Sequence, residues 1–513
     1  MSPFRKRFLP PMALAAGATL VLGLTPAAAA NTVPDGPALA KQLVKNVDVN
    51  GVNRHLIALQ RIADTNGGTR AASTEGHKKS AEYIATKLEA AGYQVTRQEF
   101  PFTYAETLAE KLTAGGANVP IIAMEYTVST PVGGITAPLA VVAVDDTSGC
   151  EATDYTADVA GKIALIKRGG CSFAQKQQTA AAAGAVGAIV YNNTDGSVNG
   201  TLGDPANAKI PTGGVTAAAG AQLAALAGQN VTLELRTLQE ARTSYNVIAE
   251  TKTGRKDNVV MLGSHLDSVP AGPGINDNGT GSAALLETAL QLGSSPKVNN
   301  AVRFGFWSAE EFGLIGSTHY VDQLTFEQQL DIALYLNFDM IGSPNAGYFA
   351  YDGDNSDGVG AGAGPYGSAQ IEKTFVDFMQ AARGVSLEGT DFTGRSDYGE
   401  FIAVGIPAGG LDTGAEVLKT PAQAAKWGGT AGIAYDPCYH QACDNLGNID
   451  RVALDRNSDG VAWALGVYAT STESINGVKP GKSKTAKQKA AERGAQRNFS
   501  ARAVAGDPHA LTS

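Results

Sequence analysis

Beyond residue 30 the sequence has no uninterrupted apolar run of the roughly 18 residues that a membrane helix requires, so no membrane span is expected there. Cysteine is scarce: Cys150, Cys171, Cys438 and Cys443 are the whole set, and no two of them form a CxxC pair. That excludes the common cysteine-rich zinc patterns. An even number of cysteines in an exported chain points instead to two disulfides. Three pairings are open; the local one, Cys150–Cys171 with Cys438–Cys443, is the simplest. Positive charge is also short. The net charge is -9, although Arg5-Lys6-Arg7 opens the chain and residues 479–513 hold eight Lys/Arg against two acids. The body between them is therefore more acidic than the whole. It repels phosphate, which argues against nucleic acid as a partner. No internal repeat is evident.

What the sequence does contain is arranged in blocks. Residues 1–30 have a basic start, a short apolar stretch from Met12 to Leu24 and the small residues Ala28-Ala29-Ala30. This is the pattern of a secretory signal peptide, which implies a secreted, extracellular protein. Residues 31–50 read as a linker or short propeptide. Val52, Leu56, Leu59 and Ile62 recur at helical spacing, and a second helix is expected from Thr74-Glu75-Gly76 onward. Alternation over Tyr93 to Phe100 predicts a strand. From 104 to 241 the texture turns to short β-type runs with Gly, Ala and Thr, which suggests an inserted β-rich domain. Strand and helix patterns then alternate over 242–475, with a strand read over Ile332 to Phe338 and helices over Gly281 to Leu292 and about Ser458 to Ser474; with 51–103 they predict one discontinuous α/β domain. Its central sheet is expected to be mostly parallel, with helices on both faces. Residues 476–513 read as a flexible basic tail.

The chemistry-bearing residues cluster at the ends of expected strands. His265 and Asp267 follow the apolar run Asn258 to Leu262; at spacing two they share a side, so Asp267 could orient a metal-binding imidazole. Asp277 sits in the Gly-rich loop Gly274 to Gly281, where a carboxylate can bridge two cations; capping of the next helix is the competing explanation. Glu310 and Glu311 are adjacent, so one can bind metal while the other serves as a general base. Favourable charge at a helix start accounts for one Glu well and for two less well. Asp339 ends a strongly apolar run, where a carboxylate is costly unless paired or metal-bound. His440 lies between Cys438 and Cys443, beside Tyr439, whose hydroxyl could donate to an oxyanion. Two imidazoles and several carboxylates are donors that zinc accepts.

The stretches "NGGTRAASTEGHKKSAEYIATKLEAAGYQV", "GSHLDSV", "GINDNGTGSAALLE", "WSAEEFGLIGS", "YLNFDMIGSPN", "GRSDYGEF" and "DPCYHQACDNL" resemble the secreted bacterial dizinc aminopeptidases of the leucine type. The cues "GKIALIKRGGCSFAQK" and "AGAVGAIVYNN" resemble a protease-associated domain, as in aminopeptidase Y. The resemblance implies two zinc ions, with His265 and Asp339 on one, Glu311 and His440 on the other, and Asp277 bridging. It implies Glu310 as general base, Tyr439 as oxyanion donor and Arg395 as a substrate-fixing residue. A calcium ion held by Asp455 and Asp459 is a further expectation from the family. The implied activity is removal of N-terminal, large apolar residues from peptides and proteins with a free N-terminus, by a monomer with no membrane or nucleic-acid partner. A carboxypeptidase or dipeptidase on the same site is the alternative, and a non-catalytic binding protein is disfavoured by the intact ligand set.

Overall fold

A computed structural model describes residues 37–485 except 195 and 361, and beyond them residues 487, 488, 491 and 494. The expected signal peptide and most of the expected tail lie outside the described residues.

The peptidase sheet is built on four parallel strands. Ala408–Asp412, Ile332–Phe338, Arg255–His265 and Asn300–Trp307 lie side by side in that order. Antiparallel partners flank them, Phe349–Tyr351 on one side and Asn230–Glu250 on the other. The mostly parallel sheet expected from the sequence is observed. Its two central strands are buried at nearly every position, which is why they read as apolar runs rather than as alternating patterns.

Successive side chains still point to opposite faces. Val260, Leu262, Leu334, Leu336, Phe304 and Phe306 face one core, covered by the helices Val49–Thr65, Gly281–Leu292 and Arg451–Thr470. Met261, Tyr335 and Trp307 face the other, under Ile315–Asp322 and Gly399–Ala403. Local signals place these helices. Asp48 and Thr74 accept backbone N–H bonds at two helix starts, and Gly281–Leu292 falls where the sequence predicts it. The last long helix starts earlier than its apolar periodicity suggests. The reason is that Asp450 caps it, accepting from Val452 N at 2.7 Å and Ala453 N at 3.2 Å.

The strands Gln94–Ala114 and Asn230–Glu250 pair antiparallel along their whole length, from Gln94 opposite Glu250 to Ala114 opposite Val231. They run unbroken through residues 103–104 and 241–242, where the sequence texture changes. The insertion is therefore carried on a continuous two-stranded ribbon. It adds Ile135–Val141, Ile163–Lys167, Gly187–Tyr191 and Thr212–Val215, with the helices Phe173–Ala182 and Ala217–Ala224. Cys150–Cys171 closes a loop within it, with Cα atoms 6.0 Å apart, and Cys438–Cys443 closes the other.

Two expectations are corrected. Residues 31–50, read as a linker or propeptide, include the helix Ala38–Asn46. Ala40 and Leu43 are one helical turn apart and bury against the Arg451–Thr470 helix, where Gly466 lets the two backbones approach closely. The start of the expected tail is also part of the body: Val478 is buried, and the Lys484 ammonium donates to the Leu330 carbonyl.

Candidate active site

The carboxyl ends of the parallel strands converge on a cavity of about 630 Å³. Open α/β sheets place ligands at this edge. Strand Arg255–His265 delivers His265, and the loop after Asn300–Trp307 delivers Glu310 and Glu311. Asp339 follows Ile332–Phe338, and the disulfide loop 438–443 delivers His440. Several of these positions are held in unusual backbone conformations. Ala309, Met340 and His440 are non-glycine residues with φ of 57°, 48° and 56°. Such conformations cost energy and persist where the surroundings over-determine them, commonly at functional sites.

The side chains meet as two overlapping groups. His265 Nε2 lies 3.2 Å from Asp277 Oδ1, 3.3 Å from Asp339 Oδ1 and 3.9 Å from Glu310 Oε2. His440 Nε2 lies 3.3 Å from Asp277 Oδ2 and 3.0 Å from Glu311 Oε2. Asp277 thus turns one oxygen to each imidazole. Asp267 sits behind His265, with its carbonyl 3.2 Å from Nδ1, and its carboxylate accepts the Glu310 backbone N–H at 3.3 Å. It therefore joins the His265 loop to the Glu310 loop.

Arg395, expected as a substrate contact, lines the cavity and donates to Glu416 Oε1 at 2.9 Å and to the Tyr439 hydroxyl at 3.2 Å. The Tyr439 ring stacks on His440 with centroids 3.8 Å apart. Asp455 and Asp459 lie in the first half of the last long helix, Arg451–Thr470. Asp459 already pairs with the Arg383 guanidinium, and among the described residues no third carboxylate joins them.

The electrostatics are those of a site built for cations. Burial opposes charge on His265, yet Asp339 and Glu310, with hydrogen bonds to Asp267 and Asp277, hold its pKa well above the ordinary range. Burial likewise opposes charge on His440, but Asp277 and Glu311 raise it to about 10. Burial, reinforced by Asp277, pushes Glu311 up to about 7. Burial also lifts Glu310 well above the carboxylate range, with Asp397, Glu311 and Asp339 adding to it against His265. Buried oxygens of Glu311 and Asp339 have no hydrogen-bond partner. Buried polar atoms are normally paired, and the mixed imidazole and carboxylate donors are those of zinc. The residues present therefore fit the metal.

Several supporting residues escape a reading of the sequence. Arg70 is fully buried; its Nε donates to the Pro273 carbonyl at 2.8 Å, and its two Nη atoms donate to the carbonyls of Leu266 and Gly274. It pins the backbone on both sides of the site, and burial lowers its pKa to about 10. Asp444 accepts the backbone N–H groups of Asn276 at 2.8 Å and Asp277 at 3.0 Å. Gly274 takes φ +60°, and a Cβ there would lie 2.3 Å from the Asp277 carbonyl, so the loop needs glycine. Ser396 Oγ donates to Asp339 Oδ2 at 2.6 Å. Arg70, Ser396 and Asp444 all lie inside the stretches that carry the family resemblance, which was the one available signal.

Comparison with known proteins agrees with this geometry. Residues 246–465 match the model of peptidase family M28, and residues 135–223 match the PA domain. The chain is 48% identical to a probable lipoprotein aminopeptidase, LpqL, of Mycobacterium tuberculosis over 87% of this chain and 90% of that protein. It is 45% identical to an aminopeptidase of Pseudomonas aeruginosa over 85% and 83% of the two chains. An aminopeptidase from Aneurinibacillus sp. strain AM-1 superposes with a TM-score of 0.63 at 30% identity, covering 83% of this chain and 95% of that one. A zinc aminopeptidase from Bacillus subtilis superposes at 0.58 and 28% identity, covering 82% and 94%. The protein is thus a metallo-exopeptidase: the chain belongs to peptidase family M28, among its zinc aminopeptidases with an inserted PA domain.

Proposed function

We propose that the protein is a secreted aminopeptidase that uses two zinc ions to remove large apolar N-terminal residues from peptides and proteins. The observation that carries this reading is Asp277 turning one oxygen to each imidazole, between His265 with Asp339 and His440 with Glu311. His265 and Asp339 would hold one ion, Glu311 and His440 the other, and Asp277 both. When bound, the ions supply Lewis-acid polarisation of a carbonyl and lower the pKa of a water.

The chain's own residues divide the remaining work. Glu310 takes the proton of the attacking water and returns it to the leaving amine. Its raised proton affinity suits both roles, since a base must be able to hold the proton it takes. The Tyr439 hydroxyl donates to the oxygen that becomes negative, and Arg395 positions that hydroxyl from the other side. Asp267 keeps His265 oriented. The free α-amine of the substrate is drawn to the surplus of carboxylates, which selects chain ends over interior bonds. Met340, Phe349, Tyr351 and Tyr435 line the cavity and supply an apolar wall for the first side chain. Two disulfides support export.

The test is hydrolysis of leucyl amides and of N-acetylated counterparts. Free-amine substrates should be cut and blocked ones spared; equal rates would overturn the aminopeptidase reading.

A further inference from the structure

Residues 308–314 carry Glu310 and Glu311 from the strand Asn300–Trp307 to the helix Ile315–Asp322. They form an irregular turn. Ala309 and Leu314 take φ of 57° and 59°, and the Glu310 carbonyl accepts the N–H groups of Gly313 at 2.8 Å and Leu314 at 2.9 Å. Phe312 follows directly on the two acids. The strands that lead into the insertion hold this turn at both ends and in its middle.

At the ends the hold is polar. The Ser244 and Ser308 hydroxyls lie 2.7 Å apart. Asn246 is fully buried; its Oδ1 accepts the Ser308 N–H at 3.1 Å, and its Nδ2 donates to the Gly316 carbonyl at 2.8 Å. The two ends approach closely, since a Cβ on Gly316 would lie 2.2 Å from the Ser308 carbonyl oxygen. In the middle the hold is aromatic. The Phe312 ring meets Phe102 edge-on at 5.4 Å and Tyr104 at 5.2 Å between centroids. The Arg242 guanidinium lies over the Tyr104 ring at 3.6 Å. Ring pairs favour defined geometries, so they fix orientation as well as position. The same cluster takes in Ala309, next to Glu310, and Ala71 and Ala72, next to Arg70. It is separate from the cores of the insertion itself.

The turn needs an outside hold, because Glu311 and Asp339 repel the Glu310 carboxylate. A general base works only within hydrogen-bond reach of the proton it takes. A displacement of about 1 Å can cost about 100-fold in rate. We propose that Phe102 and Tyr104, at the root of the ribbon, are positioning residues that act through Phe312 to fix the Glu310 carboxylate. This rests on the reading of Glu310 as the base. The ribbon root then sets the rate of proton transfer, while substrate affinity is set by the cavity wall, which comes from other loops.

The experiment measures leucyl p-nitroanilide hydrolysis per zinc-loaded chain in the full-length protein and in Tyr104→Ala, Tyr104→Phe, Phe312→Ala and the double Ala variant. In Tyr104→Ala kcat should fall at least about tenfold with KM within about threefold, and Tyr104→Phe, which keeps the ring, should restore it. The double variant should be no slower than the slower single one, because both changes break one contact. Amide exchange over 309–315 should quicken in the Ala variants. Unchanged kcat in Tyr104→Ala, or a Tyr104→Phe protein as slow as it, would overturn the proposal. So would unchanged kcat in Phe312→Ala, whose half-buried ring can be removed without opening the ribbon. Wild-type turnover that survives Glu310→Gln would overturn the role of Glu310 itself, and the seating role with it.

Discussion

The peptidase domain and the insertion treat buried polar groups in opposite ways. In the insertion Lys176 is fully buried, but its ammonium donates to the Ser148 carbonyl and faces Cys150 Sγ at 3.6 Å. Gln177 is equally buried, and its amide bonds the backbone of Asn207, Lys209 and Ile210. Among the described residues, no buried side-chain polar atom of residues 104–241 lacks a partner. In the peptidase domain Asp267, Glu311, Asp339 and Asp397 all carry buried oxygens with none. The insertion therefore resembles a domain whose polar groups serve its own stability. The peptidase domain leaves carboxylate oxygens without a hydrogen bond at its site, where a cation would complete them. That difference places the chemistry in one region and leaves the other as a surface beside it.

The comparison can be broken at several points. The largest effect is expected at Glu310. Glu310→Gln removes the proton acceptor and should lower kcat by about 100- to 10,000-fold while zinc content stays at the wild-type level. Stopped-assay kinetics with metal analysis on the same sample check this; near-normal turnover would remove Glu310 as the base. Next comes Arg70. Arg70→Met orphans three buried carbonyls and frees the loops that carry Asp267 and Asp277. Stability should fall by several kcal/mol, at about 1–3 kcal/mol per orphaned group. Zinc affinity should weaken by about 10- to 100-fold, as when a ligand's support is lost. Denaturant titration and competition with a chelator measure the two separately.

A third test moves to the insertion. Replacing Cys150 and Cys171 with Ala removes a crosslink spanning 21 residues. The insertion should lose about 3 kcal/mol of local stability. The kcat/KM for small aminoacyl amides should change less than twofold. Loss of zinc in this variant would show that the two regions are not separable. The smallest effect concerns acid. His77 lies buried in the peptidase domain, its ring nitrogens without partners, and burial lowers its pKa to about 4 against 6.5 for an unperturbed group. The folded state thus holds the neutral form while the unfolded chain takes up a proton. Its contribution is fully present above pH 6.5 and is lost as pH falls toward 4. Between pH 7.5 and 5 the wild-type protein should lose about 2 kcal/mol more stability than His77→Leu. Equal losses in urea titrations would contradict this.

The sequence revealed what is periodic or strongly apolar. The strand Ile332–Phe338 and the helix Gly281–Leu292 agree with expectation residue for residue, because long buried runs and a Gly-rich start mark them plainly. The strands Phe349–Tyr351 and Glu388–Thr390 have three residues each, too few to show a period, and Ala408–Asp412 contains two glycines. The six side chains of the site were nameable because each ends a strand or occupies a distinctive loop. Arg70 was not, since a guanidinium that bonds only backbone carbonyls leaves no partner pattern in the chain. The helix Ala38–Asn46 was missed because one turn of apolar residues resembles a linker until its partner, the Arg451–Thr470 helix, is known.

The central claim is that distant strand ends clasp a pair of zinc ions. Metal analysis of the purified mature protein tests it most directly. The account predicts two zinc atoms per chain, falling to at most one in Asp277→Ala, whose side chain faces both imidazoles. A wild-type protein that is active with no bound metal after exhaustive chelation, or one that keeps two zinc atoms without Asp277, would contradict it.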